Sequence, residues 1–202
     1  MKVGVSISVR TQSTKTYVIF CPNEHTIIKV EIISQPYSGE FKERIYDIES
    51  PWNSQNWSFI KFTEDDYTEW CGQFRGFALN AQVSLKNKLA LILTSDYLFE
   101  LDVETSDVID FEDRPQYKSL SLTPNDDFLI ADYMNVKKIT SNIKEKRLIE
   151  SPIEMDFIVF KNWSNNILEF TCDEFTQSDK HYLMEYDDSI ETINIKQITQ
   201  PS

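Results

Sequence analysis

Apolar and polar residues alternate with a period of two along most of this chain. Short runs rich in β-branched or aromatic residues occupy 16–21, 26–34, 57–63 and 88–94. Such runs are typical of β-strands, and helical spacing is nowhere sustained over a dozen residues. The best helical candidate, 64–70, covers only about two turns. The pattern therefore predicts an all-β protein.

Groups of four short strands recur in the second half of the chain. Val83, Leu120 and Phe157 take equivalent places in three such groups and are spaced 37 residues apart. Four strands at this spacing are what a propeller blade requires, since each blade buries its faces only against its neighbours. Within a single β domain, 1–202, the predicted units are 4–48, 80–111, 117–150 and 155–196.

The fold expected from this repeat is a propeller-like array of four-stranded antiparallel units. An irregular β-sandwich is the alternative, because meandering hairpins also recur at similar intervals. The chain has only four glycines, which is few for the tight turns of a propeller. Residues 49–80 do not divide cleanly into strands of either architecture.

Composition places the chain among globular proteins of a reducing compartment. Of its 202 residues 41% are hydrophobic and 13% aromatic, which excludes a disordered polyanion. No apolar run approaches the roughly 18 residues that a membrane span needs, and the first residues lack a signal-peptide core. Cys21, Cys71 and Cys172 are odd in number and scattered, as expected of reduced thiols. We expect a cytoplasmic protein with no membrane partner.

Catalytic and metal-binding patterns are scarce. His25 and His181 have no second ligand at metal-binding spacing, and no glycine-rich phosphate loop or calcium loop is present. With 33 carboxylates, a pair suited to glycoside hydrolysis would arise by chance, which leaves a hydrolase as a minor alternative. The expectation is therefore a protein that is not an enzyme, with no catalytic residues, no metal site and no cofactor.

Negative charge is concentrated in one segment. Residues 96–113 carry eight carboxylates and no Lys or Arg, in a chain of net charge −13. Alternation along this strand predicts Phe99 and Leu101 on one face and Glu100, Asp102 and Glu104 on the other, as an anionic row. Such a row can simply be a solvated face that protects a sheet edge, or it can attract a cationic protein. Direct binding of nucleic acid is not expected, because the charge repels phosphates.

The residues predicted to contact a basic partner are the acidic segment with its tyrosine and a second cluster that also pairs acids with an aromatic residue. Aromatic anchors supply affinity, while charge accelerates association. The predicted contact residues are Asp96, Tyr97, Glu100, Asp102, Glu104, Asp107, Asp110, Glu112, Asp113, Asp65, Asp66 and Tyr67.

Two stretches of the chain resemble a known class of bacterial proteins. These are Glu-Trp-Cys-Gly-Gln-Phe-Arg-Gly-Phe at 69–77 and Leu-Ile-Leu-Thr-Ser-Asp-Tyr-Leu-Phe-Glu-Leu-Asp at 91–102. The region that spans them, 69–102, is just under a fifth of the chain and resembles immunity proteins of contact-dependent growth-inhibition and other polymorphic toxin systems. The resemblance contains no mechanistic motif and transfers no catalytic residue.

The resemblance implies an immunity protein that neutralises one cognate basic toxin domain by forming a stoichiometric complex. The favoured toxin class is a nuclease, either an RNase, such as one of the EndoU type, or a DNase. The expected state is a monomer that forms a one-to-one complex. The alternative is an acidic, propeller-like scaffold for protein interactions that has no toxin partner.

Overall fold

The structure, a computed structural model, describes residues 25–48, 54–113 and 115–199. In these ranges the chain forms 16 β-strands and no helix, arranged as four four-stranded sheets. The prediction of an all-β, propeller-like array of four-stranded units is confirmed. The strand predicted at 16–21 lies outside the described residues, as does the first half of the predicted unit 4–48.

The first sheet is mixed, and its most buried strands lie at its centre. It consists of β1 (Ile27–Ile33), β2 (Lys42–Tyr46), β3 (Trp57–Glu64) and β4 (Glu69–Arg75). The order is β1-β3-β4-β2, with β2 parallel to β4 and the other pairs antiparallel. The unit predicted at 4–48 is therefore wrong in its described part, because β1 and β2 are edges that pair with β3 and β4. The parallel pair likewise departs from the expected antiparallel arrangement.

The helix considered at 64–70 is wrong: these residues form the end of β3, a hairpin turn at 65–68 and the start of β4. The Glu64 carbonyl accepts a hydrogen bond from the Tyr67 N–H, and the Glu64 N–H donates to the Thr68 carbonyl, both at 2.9 Å. The Asp66 carboxylate accepts from the backbone N–H and the hydroxyl of Thr68, at 2.8 and 2.9 Å. An Asp that bonds the backbone two residues on favours a turn over a helix.

The other three sheets are antiparallel meanders in chain order. The second contains β5 (Ala78–Ser84), β6 (Leu89–Thr94), β7 (Tyr97–Asp102) and β8 (Val108–Asp113). The third contains β9 (Ser119–Leu122), β10 (Phe128–Ala131), β11 (Val136–Ile139) and β12 (Lys146–Ile149). The fourth contains β13 (Met155–Ser164), β14 (Ile167–Glu174), β15 (Gln177–Asp187) and β16 (Thr192–Thr199). Val83, Leu120 and Phe157, with their spacing of 37 residues, thus lie on the first strands of three successive sheets.

Three clusters of buried side chains hold consecutive sheets together face to face. The cluster between the first and second sheets includes Ile60, Phe62, Phe74, Ile92 and Phe99. The cluster between the second and third includes Leu91, Leu98, Leu120, Phe128 and Ile130. The cluster between the third and fourth includes Leu129, Val136, Leu168, Phe170 and Tyr186. Among the described residues, none of these clusters joins the fourth sheet to the first.

Strand β6 shows how the second sheet is covered on both faces. All six of its residues are buried. Ala90 and Ile92 pack toward the first sheet, whereas Leu89, Leu91 and Leu93 pack toward the third. A strand buried on both faces reads as a continuous apolar run, as this one does.

Within the described ranges, no helix has the length and apolar character needed to cross a membrane.

A buried lysine on β11 links the third sheet to the fourth. The Lys138 ammonium group lies 2.8 Å from Asp188 and 2.9 Å from Glu191, both in the turn between β15 and β16, and 3.3 Å from Asp127. Burial alone would raise the pKa of Asp188, but the Lys138 ammonium outweighs it and the pKa is lowered. The hydrogen bond from Lys138 likewise lowers the pKa of Glu191. The lysine therefore compensates carboxylates that would otherwise be costly to bury.

We expect Lys138→Met to lower the free energy of unfolding by about 3 kcal/mol, because it leaves the buried Asp188 without a cation. Urea unfolding followed by tryptophan fluorescence measures this. The control is Lys88→Met, which breaks an exposed pair with Glu104 and should lower the free energy of unfolding far less, because solvent screens that pair.

The acid dependence provides a second readout of the Lys138 network. The folded-state pKa values of Asp188 and Glu191 are lowered. The two carboxylates therefore stabilise the folded protein at pH values above their unfolded pKa values of about 4. This stabilisation is lost as the pH falls through their folded pKa values. We expect the free energy of unfolding of Lys138→Met to fall less steeply with decreasing pH than that of the parent. An unchanged acid profile would contradict the assignment.

Candidate functional site

The acidic strand β7 does not form a solvent-facing row. Phe99 and Leu101 face the first sheet as the alternation predicts, but the opposite face is covered by the third sheet. Glu100 is 2% exposed, and its carboxylate accepts a 2.6 Å hydrogen bond from the Ile143 backbone N–H. Burial raises the pKa of Glu100. The predicted alternation is correct, but the expected solvent exposure of this residue is wrong.

Asp96 and Tyr97 are also too buried to lie on a contact surface. Asp96 is 3% exposed and accepts a 2.7 Å hydrogen bond from the Ser95 hydroxyl. Tyr97 is 1% exposed and packs against Phe99 and Phe111, with ring centroids 5.2 and 5.8 Å away. A partner that docks on the folded protein does not reach these two side chains, because neighbouring sheets cover β7.

Most of the remaining acids of this segment are engaged within the molecule. Asp102 accepts hydrogen bonds from two backbone N–H groups of the turn that follows it. The ion pairs to bases from elsewhere in the chain are Glu104 with Lys88, Asp107 with Arg44, Asp110 with Lys144, and Glu112 with Lys146. Asp113 is exposed. The local negative potential is therefore weaker than the linear sequence suggests.

The second predicted cluster is the one that the fold leaves exposed. Asp65, Asp66 and Tyr67 lie at the tip of the β3–β4 turn, and Tyr67 is 80% exposed. The φ of Tyr67 is +66°, in the left-handed region that is uncommon for a bulky residue. Hairpin turns of the other three sheets also hold non-glycine residues in this region, for example Lys88, Asp126 and Asn165, so the conformation is a property of these tight turns. The turn thus projects an exposed aromatic ring next to two carboxylates in the chain.

A histidine is held beside the two aspartates of this turn. His25 Nδ1 lies 3.2 Å from Asp65 Oδ1, and His25 Nε2 lies 3.4 Å from Asp66 Oδ2. Hydrogen bonds from Thr68, together with His25, lower the pKa of Asp66. The three ligand atoms lie within 4.8 Å of one another, close enough to bind a divalent cation. The mutual pairing of histidine and carboxylates already accounts for the cluster.

Beneath the turn lies a cavity of about 320 Å³ at the point where β2 and β4 begin. The parallel pairing of Lys42 with Trp70 brings the two strand starts together. A turn of the second sheet closes one side, where the Tyr46 hydroxyl donates to the Ser106 carbonyl at 2.7 Å. The lining residues are His25, Lys42, Glu43, Arg44, Glu64, Thr68, Glu69, Trp70 and Ser106.

Two buried polar groups in this cavity have no partner among the described residues. Glu64 is 8% exposed, and its carboxylate has no hydrogen bond or ion pair among the described residues, although its oxygens reach the solvent in the cavity. Trp70 is 7% exposed, and its indole Nε1 is buried without an acceptor. Buried polar groups are nearly always satisfied, so an unpaired donor and an unpaired carboxylate in one cavity require an explanation. Neither residue was among those predicted to contact a partner.

Sequence reasoning missed this cavity because its two sides are distant in the chain. The acidic character of 64–69 was visible, but nothing in a linear reading places Lys42 and Arg44 next to it. A parallel pair between β2 and β4 has no local signal of its own. The inward position of Glu64 does follow from alternation with Ile60 and Phe62, and that is the one signal that could have identified it.

The fourth sheet carries the largest excess of acids. Residues 150–199 contain eleven carboxylates and three lysines. On its outer face Glu169 and Glu185 are cross-strand partners, and Lys196 pairs with both. His181 Nδ1 lies 2.6 Å from Asp173 Oδ1 on the same sheet. This end of the molecule therefore dominates its long-range negative field.

The described cysteines and histidines do not assemble a nucleophile. Cys71 and Cys172 are buried free thiols. Burial raises the pKa of Cys71 and raises that of Cys172 to about 12, which keeps both thiols protonated at neutral pH. His25 and His181 each lie in hydrogen-bonding distance of an aspartate. These features fit packing and ion pairing.

Comparison with known proteins identifies no family. No family model and no curated protein matches the chain. Among solved structures, the chain is similar to the crystal structure of a protein of unknown function from Bacteroides caccae. The match has 13% sequence identity and a TM-score of 0.24, and it covers 72% of this chain and 87% of the other.

Substitution of Glu100 tests whether the acidic strand serves folding. Glu100→Ala should lower the free energy of unfolding by about 2 kcal/mol, because the buried Ile143 N–H loses its acceptor. Glu100→Gln keeps an acceptor and removes a buried charge, so it should be at least as stable as the parent at pH 7. Urea denaturation measures both, with the exposed Glu104→Ala as the matched control, expected to cost under about 1 kcal/mol.

The sign of the pH dependence follows from the raised pKa of Glu100. Ionisation of the Glu100 carboxyl disfavours the folded state. Glu100 therefore destabilises the protein increasingly as the pH rises above its unfolded pKa of about 4.3. The advantage of Glu100→Gln over the parent should therefore grow from pH 4 upward. Equal stability of Glu100→Ala and the parent would contradict the buried position.

Proposed function

We propose that this protein is a cytoplasmic immunity protein that binds a basic toxin domain one-to-one and neutralises it, with a nuclease as the favoured toxin class. The observation that carries the proposal is the β3–β4 turn, where Tyr67 is 80% exposed in a hydrogen-bonded hairpin next to Asp65 and Asp66. No substrate chemistry is needed for this role, because inhibition follows from occupancy.

The turn has the composition of an interface anchor. Tyrosine is enriched among the residues that dominate binding energy, and it loses little conformational entropy when it is fixed. The backbone hydrogen bonds between Glu64 and both Tyr67 and Thr68 hold the turn in place before a partner arrives. A pre-formed anchor reduces the cost of ordering on association.

The distribution of charge suits capture of a cationic domain. The chain has a net charge of −13, and the fourth sheet contributes much of it. A field of one sign accelerates association with an oppositely charged partner and weakens as salt rises. Nuclease grooves are cationic because they bind phosphates, so a nuclease domain has the complementary charge.

A scaffold without a toxin partner is the second candidate, and one observation favours it. Much of the acidic segment 96–113 is paired with lysines and arginines of the same molecule. Charges used in this way contribute to solubility and folding without any partner. A scaffold would bind several proteins, with no single basic domain dominating.

The test uses the C-terminal domain encoded by the reading frame adjacent to and upstream of this gene. We expect one-to-one binding, rescue of growth in cells that express the domain, and an association rate that falls as salt rises. Tyr67→Ala should weaken the affinity by about tenfold or more, mainly through faster dissociation. Surface plasmon resonance measures both rates.

Matched variants separate the anchor from general surface effects. Tyr37→Ala removes another tyrosine of the first-sheet region, 85% exposed, and should leave binding unchanged. Asp65→Asn with Asp66→Asn should slow association and reduce its salt dependence, whereas Asp113→Asn should do so much less. The proposal would be contradicted, and the scaffold favoured, if the two tyrosine substitutions had equal effects or if no one-to-one complex with a basic domain formed.

A further inference from the structure

We propose that the cavity beneath the β3–β4 turn is a binding site for a basic amino-acid residue, which supplies an ammonium or guanidinium group to Glu64 and an oxygen acceptor to the Trp70 indole N–H. This deepens the proposed function and rests on it only for the source of that residue, which would be the partner protein. The site itself is argued from the unpaired groups of the cavity.

Glu64 supplies the unpaired negative charge. It is the last residue of β3, on the face that buries Ser58, Ile60 and Phe62, so the inward row ends in a carboxylate at the cavity. Its backbone groups are bonded within the turn, and its side chain is 8% exposed without a partner among the described residues. Because the carboxylate oxygens open onto the cavity and have no partner in the described protein, a cationic ligand can reach them and form a charge-assisted hydrogen bond.

Trp70 supplies a donor whose position is fixed. Its ring stacks on Phe62, with centroids 4.2 Å apart and planes within 9° of parallel. The indole Nε1 is buried and makes no hydrogen bond. Buried Trp N–H groups usually find a partner, and leaving one unsatisfied costs about 1–3 kcal/mol. An oxygen of the ligand, such as a peptide carbonyl, removes this cost.

Three basic side chains line the cavity and narrow the choice of ligand, and one of them, His25, is paired with the two aspartates of the turn. The Arg44 guanidinium is engaged, because it donates to the Thr105 carbonyl at 3.1 Å and pairs with Asp107. Lys42 is exposed and has no partner in the described ranges. The Lys42 charge disfavours a ligand that is purely cationic and favours one that places an oxygen next to Lys42. A basic residue within a peptide has both groups.

The size of the cavity fits one side chain. Its volume of about 320 Å³ is at the small end of ligand pockets, which range from roughly 300 to 1,000 Å³. The exposed Tyr67 follows Glu64 by three residues in the same hairpin. A protein that contacts Tyr67 can therefore insert a residue into the cavity. The aromatic anchor and the buried charge would then act on neighbouring residues of one partner.

The direct test is titration of the free protein with N-acetyl-L-arginine amide and N-acetyl-L-lysine amide, followed by the NMR resonance of the Trp70 indole proton. Trp70→Phe removes the indole N–H, and so assigns that resonance, while it keeps an aromatic ring at this position. We expect a saturable downfield shift, as the proton acquires an acceptor. N-acetyl-L-citrulline amide, a neutral isostere of the arginine probe, should bind at least tenfold more weakly.

Variants identify the groups responsible. Glu64→Gln should weaken binding of both cationic probes by about tenfold or more, consistent with loss of a charged hydrogen bond. Glu104→Gln, which removes one exposed carboxylate elsewhere, should leave it unchanged. Urea unfolding of each variant verifies folding, and Glu64→Gln should be no less stable than the parent. Equal binding of the arginine and citrulline probes, or no effect of Glu64→Gln, would overturn the inference.

Two further arms distinguish the source of the cation and the fate of the proposed function. Agmatine lacks the carbonyl, so agmatine binding as tight as that of the arginine probe would reject the role of Trp70 and indicate a free amine as ligand. Tyr67→Ala should leave probe binding intact while it weakens the toxin complex. Probe binding without any toxin complex would therefore refute the proposed function alone, and a toxin complex unaffected by Glu64→Gln would refute the cavity's role in it.

Discussion

Face-to-face burial of consecutive sheets is the constraint on which the rest of this structure depends. No sheet here has enough apolar side chains on one face to form a core alone, and each of the three clusters draws residues from two neighbours. The middle sheets are covered on both faces, which is why β6 and β10 are buried at every position. Polar groups that fall between two sheets must then find partners inside the protein.

That requirement explains how the acidic residues are used. Glu100 lies between sheets and receives a backbone N–H, while Asp188 lies beside Lys138 and joins the third and fourth sheets. The exceptions lie at one cavity of the first sheet, where the Trp70 indole N–H is buried without an acceptor and the Glu64 carboxylate faces the cavity without a partner among the described residues. In a molecule whose other buried charges are compensated, two unpaired groups in one place are the strongest structural indication of a ligand.

The first sheet differs from the others in ways that bear on this site. Its parallel pair β2–β4 places two strand starts side by side, and its β3–β4 turn holds Tyr67 in the left-handed region. The parallel pair departs from the regular meander of the other three sheets, whereas left-handed residues also occur in the hairpin turns of those sheets. Departures from local regularity are expected where function, and not folding alone, has shaped the sequence.

The period of two and the 37-residue spacing of Val83, Leu120 and Phe157 are local properties, and they sufficed to predict an all-β chain of repeated four-stranded units. Alternation also predicted which side of β7 each residue faces. Which of those sides is covered depends on the neighbouring sheet, so Asp96, Tyr97 and Glu100 were expected in solvent and are buried. The partners of Asp107 and Asp110, the parallel pairing of β2 and the cavity at Trp70 were likewise decided by tertiary structure, because each joins segments that are far apart in the chain.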